Sequence, residues 1–298
     1  MKQKRIETTT SRTAEWICLT RAISSLERDP HYKSDDHLAL RLLPDRFRML
    51  LRIPGFGRLF IRFVAAKWLY EYIIARTKYI DAAFQEALAN HFDQILIFGA
   101  GFDTRALRLQ NGSGVTRVFE LDVPITQQAK IEQYRQRKLD IPANLTFVPI
   151  DFDKESLPAR LEQAGFEKQK KSLFILEGLL MYLQPESVHE TFQTIQSLAG
   201  AGSQVVFDYV YASVLQGKVP YAAAETKVME SVAREGEPWQ FGIEKGTLEQ
   251  FLSAYGFQLC DESDAAKLEQ RFFSDETGRI IGHVNRTHCL VQAVKFRS

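Results

Sequence analysis

Cysteine is scarce in this chain. Cys18, Cys260 and Cys289 are spread over 298 residues, and no two of them form a CxxC pair. That spacing argues against a disulfide framework and a zinc site, and it fits a reducing cytoplasm. Histidine is nearly as sparse. His31, His37, His91, His189, His283 and His288 show no ligand spacing, so no metal is expected. Charge imbalance is lacking too. A formal net charge of +1 gives no pull toward nucleic acid. No run reaches the ~18 uncharged apolar residues of a membrane helix. The nearest, LFIRFVAAKWLYEYIIA, is broken by Arg62, Lys67 and Glu71. The opening MKQKRIETTTSRTAEW lacks the apolar stretch of a signal peptide. A cytoplasmic protein is expected, with no nucleic-acid partner and no membrane insertion. Repeats and low-complexity tracts are missing as well.

What is present is ordinary globular material, 45% hydrophobic and 25% charged. The first ninety residues read as a helical region packed on the rest. Ser11 to Leu26 is amphipathic, and Asp35 to Arg52 has helical spacing interrupted by Pro44. IPGFG breaks the chain at Ile53–Gly57, and Phe60 to Leu88 is a long helical pattern in one or two pieces.

From Gln94 the texture changes. The apolar runs QILIF, TRVFEL, LTFVPI, SLFIL and SQVVFDYV alternate with helical patterns at Asp103–Leu109, Ile125–Lys138, Lys154–Ala164 and Pro185–Leu198. That alternation predicts an α/β fold, a doubly wound Rossmann-like sheet with helices on both faces. FQLCDE and HCLVQAVKF add two strands near the end. The domain beginning at residue 91 therefore carries an insertion, residues 209–246, after its fifth strand. Two readings of it stand open, a lid over the ligand crevice and a packing elaboration.

The first strand runs into QILIFGAGFDTRALRL. Gly99, Ala100 and Gly101 form a nucleotide-loop turn, but Thr104 stands where the dinucleotide fingerprint G-x-G-x-x-G has its third glycine. RVFELD then ends in Glu120 and Asp122, an acidic strand end about 20 residues on, placed to accept from ribose hydroxyls. The third strand ends in PIDFD, where the Asp151 carboxylate can accept from an adenine amino group and Phe152 can face the ring. Glu177 interrupts the apolar SLFILEGLLMYL, a costly place for an unpartnered charge. A crevice so rich in carboxylates repels a pyrophosphate but not a sulfonium with an amino group. S-adenosylmethionine therefore fits better than NAD.

At these residues the chain resembles the leucine carboxyl methyltransferase family, in particular its bacterial branch. The matching stretches are ARTKYID at Ala75–Asp81, LIFGAGFDTRALRL at Leu96–Leu109, VFELDVPITQQAK at Val118–Lys130, VPIDFD at Val148–Asp153, LEGLLMYLQPESV at Leu176–Val188 and EPWQFG at Glu237–Gly242. The resemblance implies S-adenosylmethionine as cofactor. It implies that Arg76 holds the cofactor carboxylate and that Gly99, Ala100 and Gly101 run under the methionine part. Asp122 binds ribose with support from Glu120, Asp151 and Phe152 flank adenine, and Glu177 lies near the methionine amino group. Arg21 is similar to a basic residue of the family's N-terminal helix, and Tyr182 to a tyrosine facing the acceptor. Two features depart from the family. Ile97–Phe98 are larger than usual, and Arg41–Lys67 is rich in arginine. Both are expected to bear on the acceptor rather than the cofactor.

The implied chemistry is in-line methyl transfer, which needs reacting atoms about 3 Å apart. A carboxylate acceptor, with pKa ~4, needs no base, whereas a phenol, with pKa ~10, benefits from one. No histidine stands out as a base, and His189 reads as surface. A carboxylate, or another oxygen, on a small molecule is therefore the expected acceptor, the carboxylate being favoured, with Arg76, Arg105 and Tyr182 as candidate clamps. Arg105 also reads as a helix salt bridge and Tyr182 as a half-buried core tyrosine. Arg41, Arg46, Arg48, Arg52, Arg58, Arg62 and Lys67 face one acid, Asp45, within their segment. This stretch attracts an anionic substrate or is a solvated face. Its interleaved Phe47, Phe56, Phe60, Phe63, Trp68 and Tyr72 line an acceptor pocket or pack the core. Two other functions compete, a nicotinamide-dependent oxidoreductase with a degenerate glycine loop and a non-catalytic binding module.

Overall fold

Five apolar runs become parallel strands, and two late ones close the sheet antiparallel. The computed structural model describes residues 12–53, 55–64, 68–109, 116–152, 155–217, 229, 233 and 236–296. Within them β1 (Gln94–Phe98), β2 (Arg117–Asp122), β3 (Leu145–Pro149), β4 (Ser172–Leu176), β5 (Gln204–Val210), β6 (Phe257–Ser263) and β7 (His288–Lys295) form one sheet in the order β3-β2-β1-β4-β5-β7-β6. The order reverses beside β1, so a crevice opens at the carboxyl ends of β1 and β4, where such sheets bind ligands.

The strands are buried on both faces, as parallel strands covered by helices must be. Ile95, Ile97, Val118, Leu173 and Ile175 share one core with the N-terminal helices. Leu96, Phe98, Phe119, Leu121 and Phe174 point the other way into a second core with Val188 and Phe192. The N-terminal helices are α1 (Arg12–Ser25), α2 (Ala39–Leu42), α3 (Asp45–Leu51), α4 (Phe56–Val64) and α5 (Leu69–Ala89). Pro44 separates α2 from α3, since its ring cannot continue a helix. The expected Phe60–Leu88 helix is two pieces, with Trp68 at φ 67° between α4 and α5.

Along the sheet, α6 (Arg105–Arg108) follows the glycine loop, α7 (Pro124–Gln136) and α8 (Leu157–Gln163) follow β2 and β3, and α9 (Pro185–Leu198) follows β4. Pro124 and Pro185 each start their helix, where the missing N–H costs nothing. Of the 209–246 insertion, residues 218–228 and most of 230–235 lie outside the described residues. Its far end is described and returns to the sheet, with the Gln240 amide donating to the Met181 carbonyl at 2.6 Å.

Candidate active site

The carboxyl ends of the central strands open into a cavity of about 320 Å³. Its floor is the turn after β1. Gly99 and Gly101 both have positive φ, +59° and +47°, a region that L side chains rarely occupy. A methyl at Gly101 would stand 3.3 Å from Cβ of Ala14 on α1, so the loop and that helix approach as closely as a bare backbone allows.

Asp122 closes the end of β2. Its carboxylate accepts from the Gly101 amide at 2.5 Å and the Val123 amide at 2.7 Å. Burial pushes its pKa up, and those two amides pull it back. The remaining lone pairs of a carboxylate so held are available to hydroxyl donors. Asp151 and Phe152 line the cavity past β3, and Phe152 stacks on Phe98 with ring centroids 6.3 Å apart. The large Phe98 of IFGAG therefore packs against a residue of the cavity wall.

Beyond β4 lies a buried ionic lattice. Glu177 sits 3.1 Å from Arg76 and 2.6 Å from Arg105. Burial opposes its ionisation, but the Arg105 and Arg76 guanidiniums outweigh that and hold its pKa below the usual carboxylate range. Arg76 also lies 2.9 Å from Asp208 on β5, and Tyr72 donates to the same oxygen at 2.7 Å. The second Asp208 oxygen accepts the Gly178 amide at 2.5 Å. Arg21, on α1, pairs with Asp36 at 3.1 Å and donates to the Phe102 carbonyl at 2.6 Å.

Two guanidiniums, Arg21 and Arg76, and five carboxylates, Asp103, Asp122, Asp151, Glu177 and Glu237, line the cavity among the described residues. Both guanidiniums already carry carboxylates. A dianionic pyrophosphate finds no spare cation in this lining, whereas a sulfonium bearing an ammonium group meets complementary charge. The residues present thus fit S-adenosylmethionine and not a dinucleotide. The other end of the cavity is aromatic and apolar, with Trp16, Leu69, Tyr72, Tyr182, Trp239 and His288.

Residues 14–196 match the model of the leucine carboxyl methyltransferase family. The chain belongs to that family. It is an S-adenosylmethionine-dependent methyltransferase. Among its relatives, YktD of Bacillus subtilis, provisionally named an S-adenosyl-L-methionine-dependent methyltransferase, is 30% identical over 215 residues, covering 72% of this chain and 70% of its own. A Frankia alni protein with the same provisional description is 27% identical, covering 72% and 74%. In fold the chain is similar to a duf574 family protein of Streptomyces avermitilis, at TM-score 0.60 and 14% identity over 98% of this chain and all of that one. A protein of Thermobifida fusca described as a methyltransferase gives 0.59 and 14% over 94% of each chain.

Two expected site residues of this methyltransferase stand away from the cavity. Arg105 is fully buried beneath the loop and spends its donors on Asp81 at 2.7 Å, Glu177 and Asp103. It cannot clamp an acceptor and instead braces Glu177 from behind, so the salt-bridge reading holds. Glu120 is also fully buried: it shares a face of β2 with Asp122, as residues two apart in a strand do, but lies within the strand rather than at its end. Its carboxylate pairs with Lys130 of α7 at 2.6 Å, and burial raises its pKa to about 7 against that cation. Of the interleaved aromatics, Tyr72 reaches the cavity. Phe47, Phe56 and Phe60 pack on the core, and Phe63 is 78% exposed. His189 is exposed and bonds to Tyr255.

Two residues of the site carried signals that went unread. Asp208 is a lone acid in the apolar QVVFDYV, the same signature that marked Glu177. His288 opens β7. Because β7 is antiparallel to β5, with His288 beside Val210, its first residue lies at the carboxyl edge of the parallel strands. His288 is 4% exposed, 4.4 Å from the Tyr72 ring and 5.2 Å from Trp239 between centroids. Thr287 donates its hydroxyl to Asn285 Oδ1 and so accepts from His288 Nδ1 at 2.8 Å. That network puts the proton on Nδ1 and leaves the Nε2 lone pair as acceptor. Burial lowers the His288 pKa to about 4, with nearby Asp208 opposing and Arg76 assisting, so the ring is neutral at pH 7.

Proposed function

We propose that this methyltransferase transfers a methyl group to an oxygen of a small, largely apolar molecule seated at the aromatic end of the cavity. Bound S-adenosylmethionine supplies an electrophilic methyl group. The Gly99–Ala100–Gly101 turn leaves room for its methionine part, Asp122 accepts from ribose, and Asp151 with Phe152 flanks adenine. Glu177, braced by Arg105, sits where a cationic amino group gains most from a carboxylate. Arg76 is held by Glu177 and Asp208 and faces the carboxylate end.

The observation that carries the acceptor half is the placement of His288 among Tyr72, Tyr182 and Trp239 with an unused Nε2. It favours a hydroxyl acceptor over the carboxylate expected from the sequence. An oxygen taking a methyl group while still protonated becomes a strong acid. Even a base with a pKa near 4 then removes its proton downhill, late in the transfer. An anionic acceptor would also enter a cavity whose charged lining is mostly carboxylate. A carboxylate acceptor keeps one point in its favour. Burial raises the Tyr182 pKa to about 12, so its hydroxyl stays a donor to an anionic oxygen.

The test is calorimetric titration with S-adenosylhomocysteine, in the wild type and in Asp122→Ala, followed by methyl transfer to matched phenols and benzoic acids. Micromolar binding lost in the variant, with turnover of phenols, supports both halves. Binding with turnover of the acids alone keeps the cofactor site and discards the hydroxyl reading. A folded protein that binds neither S-adenosylhomocysteine nor S-adenosylmethionine sinks the site assignment.

A further inference from the structure

Large apolar side chains are exposed at nine described positions, and five of those fall within fifteen residues of α3, α4 and their connection. Met49 is 68% exposed, Ile53 54%, Leu59 56% and Phe63 78%, with Leu50 beside them at 40%. Leu59 and Phe63 stand four apart on α4, so they share one face. The opposite side of α4 is anchored. Ile61 is buried, Phe60 packs on Trp16 at 6.1 Å, and Gly57 lies against Ile23 of α1. The exposed stripe is thus held outward by a fixed helix. Singly exposed apolar residues are commonplace, but five within fifteen residues on two helices in contact and their connection mark a contact surface.

The charge around this face is one-sided. Arg46 and Arg52 are exposed, and no described carboxylate pairs with either. Next to the stripe, α1 and α3 enclose a groove of about 850 Å³ whose lining includes Arg28, Arg41, Arg52 and Asp29, together with Arg48 and Arg58, which are paired with Asp45 and Glu27. Its floor is apolar, with Ile23, Leu26 and Leu51. Guanidiniums above an aliphatic floor match a phosphate ester joined to a hydrocarbon chain. An amphipathic helix with arginine on its polar side and leucine and phenylalanine on its apolar side lies in the plane of a bilayer surface. No described helix is long and apolar enough to cross a membrane, so the contact is peripheral.

We infer that the α3–α4 face docks this methyltransferase on an anionic phospholipid surface, with Leu59 and Phe63 entering the interface and the arginine groove seating a headgroup phosphate. The same helix touches Trp16, which lines the catalytic cavity, so docking sets the cavity beside the bilayer. The inference stands apart from the choice of acceptor.

The experiment is sedimentation of the full chain with phosphatidylcholine vesicles and with vesicles that also contain phosphatidylglycerol. Expected is pelleting with the mixed vesicles only, weakened by high salt. Leu59→Glu/Phe63→Glu should abolish it. Arg46→Ala/Arg52→Ala should lower partitioning roughly tenfold to thirtyfold. Circular dichroism and S-adenosylhomocysteine binding, both expected unchanged, report that each variant is folded. Equal pelleting with both vesicle types, pelleting unaffected by Leu59→Glu/Phe63→Glu, or no pelleting by the folded wild type overturns the inference. So does a lipid-free dimer that Leu59→Glu/Phe63→Glu dissociates, because it assigns this face to a second copy.

Discussion

Nη1 of Arg76 lies 2.9 Å from Oδ2 of Asp208, and both side chains are out of water. Neither charge can be left alone at that depth. Asp208 is the only one of the two that also holds the backbone after β4, through the Gly178 amide. Substituting Asp208→Asn keeps the shape and removes the charge, so Arg76 is left with Glu177 alone. Breaking a buried pair from one side costs about 3–5 kcal/mol. Urea denaturation should show that loss with an unchanged slope, and calorimetry should show weaker S-adenosylhomocysteine binding. A loss below about 1 kcal/mol would mean that water or Glu177 already satisfies the guanidinium.

Gly101 is predicted to be irreplaceable for a local reason. Its φ of +47° costs an alanine roughly 1–2 kcal/mol. The added methyl also presses on Cβ of Ala14 at 3.3 Å. The Gly101→Ala loop therefore relaxes away from Asp122 and α1. Affinity for S-adenosylhomocysteine should fall by at least tenfold, while the melting temperature drops only by the few degrees that such an energy implies. Unchanged affinity would show that the loop conformation is not what the cofactor requires.

The strands and the loop were legible because each is a local signal. QILIF and SLFIL have the apolar continuity of buried parallel strands, and GAG has the glycines of a turn with positive φ. The ionic lattice was not legible, because its partners are far apart in sequence. Arg105 meets Asp81 and Glu177, on elements 24 and 72 residues away. Nothing local says that an arginine after a glycine loop turns inward. Glu120 illustrates the limit of spacing arguments. Its distance from the loop suited a ribose ligand, but Glu120 lies inside β2, where it meets Lys130, while Asp122 on the same face stands at the strand end beside the Gly101 amide. His288 needed the direction of β7, which HCLVQAVKF does not reveal.

The pH dependence of stability contains two opposed terms. His288 has its folded pKa lowered to about 4 from 6.5, so between those values the unfolded chain binds more protons and stability falls as pH drops. Glu120 has its folded pKa raised to about 7 from 4.5, so there the folded chain binds more protons and stability rises as pH drops. Each shift of about 2.5 corresponds to roughly 3 kcal/mol, so these two terms offset each other between pH 4.5 and 6.5. His288→Gln removes one term. Its stability should climb relative to wild type as pH falls from 6.5 to 4.5, in urea titrations at each pH. A constant difference between the two proteins across that range would place His288 in contact with water.

His288→Gln also separates the two acceptor chemistries. Glutamine keeps the bulk between Tyr72 and Trp239 but takes up no proton. For a hydroxyl acceptor, kcat should fall by about 10²–10⁴ while S-adenosylhomocysteine affinity holds, because the lost step is proton removal and not binding. For a carboxylate acceptor there is no proton to remove, and kcat should stay within a few-fold. The wild-type rate gives an independent reading. With His288 as base, it should be flat through neutrality and decline only as pH falls toward 4, where the imidazole of the free enzyme takes its own proton. A decline centred near the acceptor's own pKa, retained in His288→Gln, would show instead that the acceptor arrives already ionised.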